Sequence, residues 1–525
     1  MVVFSGDLVC SAASCKVVAD ASHQLIIVSD GLLKCTGSAC EIDVDAPTAT
    51  INGRVEATLI QAKVKIHTDG SLTLQSASDI IAGDIDISSG GDLSLSANGW
   101  IKADGLSNPA RGGSGKGGTP SCPSGYRGDK DSSGAGGGYG GEGGSTCRKR
   151  GTCSAVRGAA YGVSSASWPV SFGSGGGNVK IDNSEQSSTG GTGGGRVKVV
   201  VGEKLTLAGK ISADGTGGTT KTSCDRRGYS CSTTFRGGGG SGGSILIDTK
   251  SLVGTGTVQT NGGSPANGGS AGSGGRIATY LETQGNTAAG SAPTVEATVT
   301  AYGGTHSDSS TCGGAAGTIF IRHGTLGVLE IDNNDNSRAT TAYTPMPTIY
   351  STAEGADNSA TTSTGFKGPL FGTEVKRKAR VNFQGTTWSA SARPFSSCYF
   401  TLSSDSNMKG AKVPLHVHQA ALDGDITATS LIDIAGNKIQ SGSTEIASWA
   451  SASSSSAVNM NSASLLQCSG CAVKVDATGS MNLAGDVTSG TVELVASATL
   501  TVASSSTTTT SSTSAKLNAR MGSGR

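Results

Sequence analysis

The chain has 525 residues, a formal net charge of +1, 82 glycines, 4% aromatic and 15% charged residues. Glycine at about twice its usual share, with so few large side chains, argues against a series of ordinary wide cores and for a solenoid, whose thin core is filled by stacked small and aliphatic side chains. The balanced charge gives no footprint for a nucleic-acid partner, and no apolar run approaches the roughly 20 residues that cross a bilayer.

In chain order, "VVFSGDLVC" after Met1 lacks a basic start and a long apolar stretch, so no signal peptide is read there. "LVCSAASCKVVAD" from Leu8 and "LLKCTGSACEIDVDA" from Leu32 share an aliphatic lead-in, two cysteines and an alternating strand. Cys10 to Cys35 and Cys15 to Cys40 are both 25 residues, a period suited to one coil of a β-solenoid. "WIKADG" at Trp100 anticipates "KISADG" at Lys210, and "GGGNVKID" around Val179 is a partial repeat. "RVKVVVGEKLTLAGKISADGTGG" from Arg196 alternates as half-buried strands do, with Val197, Val199 and Val201 on one side. The grammar returns in "GGSILIDTKSLVGTGTVQTNGG", "GGRIATYLE" and "AGTIFIRHGTLGVLEIDNN", led by Gly243, Gly275 and Gly317 as the first is by Gly195. Ile245 and Ile247 match Val197 and Val199, and Val258 matches Ile211. Phe366, Phe371, Phe383, Trp388, Phe395, Tyr399 and Phe400 concentrate in a short region, a small inserted β-unit or a docking surface. "LLQCSGCAVKVDATG" from Leu465 repeats the cysteine motif.

The organisation expected is solenoid coils with cysteine-pair repeats over 1–107, a glycine-rich solenoid with long insertions over 108–350, the aromatic region over 351–420, further coils over 421–503 and a Ser/Thr-rich tail over 504–525.

The 13 cysteines favour disulfides in an oxidising, extracellular setting. Local pairs are expected at Cys10/Cys15, Cys35/Cys40, Cys224/Cys231 and Cys468/Cys471, with Cys122, Cys147, Cys153, Cys312 and Cys398 left for a further disulfide or an intermolecular bond. Cys122, Cys147 and Cys153 supply one pair in this reading, and the third thiol joins Cys312 and Cys398 as the group holding the odd cysteine. CxxC at Cys468 to Cys471 is also a zinc spacing, but no second CxxC or nearby His completes it.

No catalytic, metal or cofactor site is expected. Asp104, Asp214, Asp248 and Asp332 are isolated beside turns, where Asp is common, and do not form the carboxylate pair that glycoside hydrolysis needs. His416 and His418 share one strand face, "GGSGKGG" near Lys116 lacks the phosphate-loop spacing, and "NNDN" at Asn333 reads as a solvated loop rather than a cation site.

Tracts such as "GGGGSGG", containing Gly237, Gly238, Gly239, Gly240, Gly242 and Gly243, recur where a long loop returns to start a strand. Lacking Cβ, they are suited to positive φ and to lying flat on a neighbouring coil or chain, and so are read as assembly loops. These loop-to-strand phrases with cysteine-stapled insertions resemble large extracellular β-helix proteins on the surfaces of algae and protists, and are loosely similar to bacterial β-helical adhesins. The resemblance, over 179–334, implies surface fibres such as flagellar hairs (mastigonemes) and carries no catalytic residue.

The expectation is therefore an all-β, right-handed parallel β-helix with glycine-rich, cysteine-containing insertions, acting as a non-enzymatic structural protein of an extracellular fibre or coat. Its partners would be copies of itself or other surface proteins. An adhesin or carbohydrate-binding module, with insertions 108–174 and 219–236 as glycan binders, is the alternative, and a polysaccharide lyase or hydrolase a third reading.

Overall fold

The computed structural model describes residues 1–11, 14–19, 23–37, 40–120, 133–145, 155–162, 166–180, 187–224, 231–265, 269–282, 295–306, 312–323, 326–336, 341–346, 370–382, 395–403, 406–436, 440–441, 444–445, 457–460, 465–477, 480–483, 486–496, 500–502, 508–510 and 515–519. Among these residues the chain is all-β, with no helix and with long ladders of parallel strands. It divides into two units: Met1–Gly285 with Thr294–Gly324 and Asn336–Ala342, and Asn286–Pro293 with Thr325–Asp335 and Tyr343–Arg525.

In the first unit the chain passes through three parallel ladders in turn, the winding of a β-solenoid. A short ladder stacks Val2–Phe4, Leu25–Ile27, Ala49–Ile51, Leu72–Leu74 and Leu93–Leu95. A second, which we call the outer ladder, stacks Asp7–Cys10, Leu32–Cys35, Arg54–Ala57, Asp79–Ala82, Trp100–Lys102, Lys210–Ser212, Thr257–Gln259 and Thr298–Thr300. The long ladder stacks Ser14–Val18, Glu41–Ala46, Lys63–Thr68, Asp84–Ser89, Arg196–Leu207, Ser244–Val253, Arg276–Leu281 and Thr318–His323. Arg196–Leu207 and Ser244–Val253 run on past a register shift into the short ladder.

Alternation decides what fills the solenoid. Ile42, Val64, Ile85, Val197, Ile245, Ile277 and Ile319 form one inward row of the long ladder, all buried. Leu33, Val55, Ile80, Ile101, Ile211 and Val258 form the matching row of the outer ladder. No coil hides its apolar face alone, so each such residue is buried only because the next coil is in place. At roughly 25 cal/mol per Å² of apolar surface, these rows are the main cohesion of the solenoid.

The matches read between repeats hold in detail: Val197 pairs with Ile245, Val199 with Ile247, Ile211 with Val258, and Trp100 with Lys210. The cysteine repeat is less regular than its spacing implies. Cys10 stands in register with Cys35, but Cys15 pairs with Ile42, because the second coil carries two more residues in the turn before the long ladder. Cys40 therefore does not stack on Cys15.

In the second unit the strands are again parallel. Leu326–Asp332, Leu370–Lys376, Phe395–Leu402, Asn407–Leu422, Asp425–Gly436, Leu465–Ala477 and Asp486–Ala496 pair in succession. Phe371, Phe395, Tyr399 and Phe400 belong to strands of this run, whereas Phe366, Phe383 and Trp388 lie outside the described residues. The Leu465 repeat is one of its rungs, with the register shifting between Cys468 and Ala472.

Four long insertions of the first unit leave the coil at the same corner. Residues 103–195, 213–243, 260–275 and 301–317 all lie between an outer-ladder strand and the next long-ladder strand. A Cβ on Gly195, Gly243, Gly275 or Gly317 would come within 2.2, 1.9, 2.0 or 1.8 Å of the carbonyl oxygen of Gly83, Gly195, Gly243 or Gly275 respectively. Substituting Gly243→Ala should therefore force the coils apart and destabilise the protein by about 3 kcal/mol. Gly372→Ala is the control: its Cβ would meet nothing closer than a Val328 methyl at 3.5 Å, and its effect should be within about 1 kcal/mol of zero. Denaturant titrations of the two variants check this, and equal midpoints would show that the glycine corner is not tight.

Candidate functional site: the glycine bundle and its carboxylate ladder

The glycine tracts run outside any strand yet have their backbone groups bonded, with a period of three. Gly237, Gly240 and Gly243 donate to the carbonyls of Thr219, Thr216 and Ala213. Gly238 and Ser241 donate to Gly177 and Ser174, and Gly239 and Gly242 to Ser270 and Ser273. In return Gly191 and Gly194 donate to Gly238 and Ser241, Gly137 to Gly239, and Gly263 to Gly240. Consecutive peptides thus point to three different neighbours, and every third points to the same one. That is the screw of an extended helix with three residues per turn, here with neighbouring segments in place of solvent.

Such a bundle has backbone where a usual core has side chains. Gly237, Gly238, Gly239, Gly240, Gly242 and Gly243 are all buried, and a Cβ on any of them would lie 1.9 to 2.1 Å from a neighbour's backbone. None has φ in the left-handed region. Close approach alone, not positive φ, demands glycine here. The tract read as an assembly loop does lie flat on neighbouring chain, but those neighbours are segments of the same polypeptide, so these glycines are interior. Ordering glycine costs more backbone entropy than ordering any other residue, and each hydrogen bond returns a net of only about 1 kcal/mol. The bundle is consequently cooperative, since a buried peptide left unpaired costs more than a made bond gains.

Aromatic side chains anchor the bundle to the outward face of the long ladder. Tyr139 is buried, with its hydroxyl 2.7 Å from Ser244 Oγ and its ring 4.8 Å from that of Tyr161. The fully buried Arg276 guanidinium lies 5.4 Å from the Tyr139 ring centroid and donates to Thr318 Oγ1 and the Tyr161 carbonyl, each at 3.0 Å. Burial pushes the Tyr161 phenol up, so it stays neutral. Trp168 packs edge-on to Tyr280 at 5.5 Å. Asp84 holds Arg196 through two hydrogen bonds, of 2.9 and 2.6 Å, across adjacent rungs. None of these anchors was singled out from the sequence. Tyr139 and Tyr161 are scattered single residues in a glycine-rich insertion, with no periodicity to mark them.

The corner also explains two of the isolated aspartates. Asp104, Asp214 and Asn261 occupy equivalent positions in successive coils, each accepting the backbone N–H of its counterpart one coil on. Asp214 N–H donates to Asp104 Oδ1 at 2.7 Å, Asn261 N–H to Asp214 Oδ1 at 2.6 Å, and Tyr302 N–H to Asn261 Oδ1 at 2.8 Å. Ser212 donates to Asp104 at 3.0 Å, and the Gln259 amide donates to Asp214. Burial, reinforced by the Asp104 charge, pushes the Asp214 carboxyl up to about 6. Asp104 lies in a turn, but Asp248, read in the same way from the sequence, stands within the strand Ser244–Val253, and turn chemistry does not reveal the ladder.

The remaining singled-out residues fall in other places. Asp248 lies on the long ladder, its carboxyl raised by burial and by Glu282. Asp332 is held by Arg377 through Nε at 2.8 Å, Asn334 N–H donates to it at 2.9 Å, and Arg377 Nη1 donates to Asn334 Oδ1 at 3.0 Å. The cation at "NNDN" is thus a guanidinium of the protein. His416 and His418 lie two apart on Asn407–Leu422. Among the described residues no group of three His, Cys, Asp or Glu side chains is arranged to hold a metal ion.

Disulfides join Cys10 to Cys15 and Cys35 to Cys40, with Cα atoms 5.9 and 6.0 Å apart. Cys224 and Cys231 are register partners in the antiparallel pair of strands Thr220–Cys224 and Cys231–Arg236. Cys312, grouped with the leftover thiols on sequence grounds, is buried and disulfide-bonded. Cys398 lies on Phe395–Leu402 and Cys468 and Cys471 on Leu465–Ala477, while Cys122, Cys147 and Cys153 fall outside the described residues. No family model, curated protein or solved structure matches the chain.

The raised Asp214 carboxyl sets a pH dependence. The folded state holds its proton up to about pH 6, whereas the unfolded carboxyl releases it near 3.8, so this group's contribution is most favourable below about pH 4 and is lost as pH rises through about 6. Asp214→Asn should flatten that decline and stabilise the protein at pH 7 by on the order of 1 to 3 kcal/mol, since Asn already serves one coil later at Asn261. Denaturant midpoints of both proteins from pH 4 to 7 test it, and parallel curves would refute the assignment.

Proposed function

We propose that the protein is a non-enzymatic structural component of an extracellular fibre, flagellar hair or cell-surface coat, with a right-handed solenoid that associates with copies of itself or with other surface proteins. The observation that carries this reading is how the insertions are used. Long connections are where catalytic and binding groups usually reside, because a rigid scaffold leaves them free to vary. In this chain 236–243 and 269–275 contribute buried, mutually bonded backbone instead, and the glycine slab braces one corner of successive coils. Such a slab adds stiffness rather than a mobile lid or cleft. The right hand of the solenoid follows from the strong preference of parallel crossovers.

The disulfides support an oxidising compartment, since local staples beside the first two coils fix turn shape and persist only where thiols are not kept reduced. With the glycine tracts spent inside the molecule, assembly falls to the flat outward faces and the ends of the ladders, where strand edges pair with further strands. Negative-stain microscopy with sedimentation over a concentration series tests the reading. Rods or filaments that lengthen with concentration are expected, and compact particles that remain strictly monomeric at high concentration overturn it.

A further inference from the structure

On the outward face of the outer ladder, Trp100 is 41% exposed while its neighbour Ile101 points into the core. Its flanks are unusual for that face. Lys210 stands directly beside it in register, Lys102 follows two residues later on the same side, and their Nζ atoms lie 5.6 and 5.3 Å from the indole centroid. In the preceding coils the cations of this face are answered by carboxylates: Lys34 meets Glu56 at 3.4 Å, and Arg54 reaches Glu56 and, at 3.6 Å, Asp79. Among the described residues neither Lys102 nor Lys210 makes such an ion pair. The nearby Asp104 and Asp214 are turned to the corner, where Ser212, Gln259 and backbone N–H groups engage them, and Lys210 acts on Asp214 only through space, without an ion pair. The result is one exposed indole between two ammonium groups on a flat, rigid sheet.

We propose that Trp100, Lys102 and Lys210 form a subsite for an anionic polysaccharide, a polymer of sugar rings bearing carboxylate or sulfate groups. The apolar face of a pyranose ring is matched by an indole, whose large rigid surface binds with little loss of side-chain entropy. Charge on the ring edge is matched by the two lysines, which exchange a weak cation–π contact with Trp100 for an ionic contact with the ligand. The polar neighbour Thr257, half-exposed and in register with Lys210, continues the surface with a hydroxyl group suited to a sugar hydroxyl. A nucleic acid is less well matched, because the face beyond these lysines carries paired rather than free cations. The subsite goes beyond the structural reading and is tested apart from it, because a short oligosaccharide binds one coil face whether or not the chain assembles.

The full chain is titrated calorimetrically with a uronate oligosaccharide, a sulfated oligosaccharide and a neutral one of equal length, at low and high salt. Binding of at least one anionic ligand is expected, and which of them binds distinguishes carboxylate from sulfate. Lys102→Gln with Lys210→Gln should weaken it about tenfold or more, Trp100→Ala should abolish it, and Trp100→Phe should keep part of it. High salt should weaken it in the wild type and have little effect in the lysine variant. Circular dichroism confirms that the exposed substitutions leave the fold intact. Equal affinity for the neutral ligand, no binding by any ligand, tighter binding of a single-stranded nucleic acid, or anionic binding unchanged in Trp100→Ala each overturns the proposal.

Discussion

The architecture of the first unit rests on one steric fact: at the corner where the insertions return, the carbonyl of each coil occupies the space that a Cβ of the next would need. Gly317 sits against Gly275, Gly275 against Gly243, Gly243 against Gly195 and Gly195 against Gly83. That contact allows the N–H of Thr318, Arg276, Ser244 and Arg196 to reach those same carbonyls at 3.1, 2.9, 3.0 and 2.9 Å. The first rung of each long-ladder strand is therefore set by its leading glycine. The aliphatic rows behind it, from Val197 to Ile319, stack only because that first rung is in register.

Two kinds of cohesion meet at this corner. Inside the solenoid, cohesion comes from apolar burial, which is non-directional and tolerates exchange of Val for Ile between coils. Outside it, in the glycine bundle, cohesion comes from directional backbone hydrogen bonds, packed so closely that its glycines have no room for a side chain. The carboxylate ladder of Asp104, Asp214 and Asn261 stands at the boundary and ties each coil's exit to the next. A buried carboxylate at Asp214 is the electrostatic cost of using side chains to continue a backbone ladder through a turn. Asn261 performs the same task without the charge.

The bundle also changes what the long ladder can present. In the early coils its strands alternate, as in Glu41–Ala46, with one face buried and one half-exposed. In Arg276–Leu281 every residue is buried, because Tyr139, Tyr161 and Trp168 cover the outward face. Free sheet surface is left elsewhere, above all on the outer ladder where Trp100 stands.

Much of the solenoid was legible in the sequence. Alternation of Val197, Val199 and Val201 and its return at Ile245 and Ile247 determined strand, inward face and register together, because the side-chain period of a strand is two and a coil buries only one face. The 25-residue cysteine spacing likewise fixed the stacking of Cys10 on Cys35, yet not the two-residue lengthening before Ile42, since turn length is indifferent to the pattern on either side of it. The glycine tracts were recognisable as ordered by their place before each strand. Their neighbours, however, were decided only by the tertiary structure. A tract without side chains carries no pattern by which one segment selects another, so the pairing of 237–243 with 174–177, 213–219 and 270–273 follows from where the solenoid anchors the ends of each insertion. For the same reason the Asp104–Asp214 contact and the Trp100–Lys210 pair, 110 residues apart in both cases, exist only through the stacking of coils.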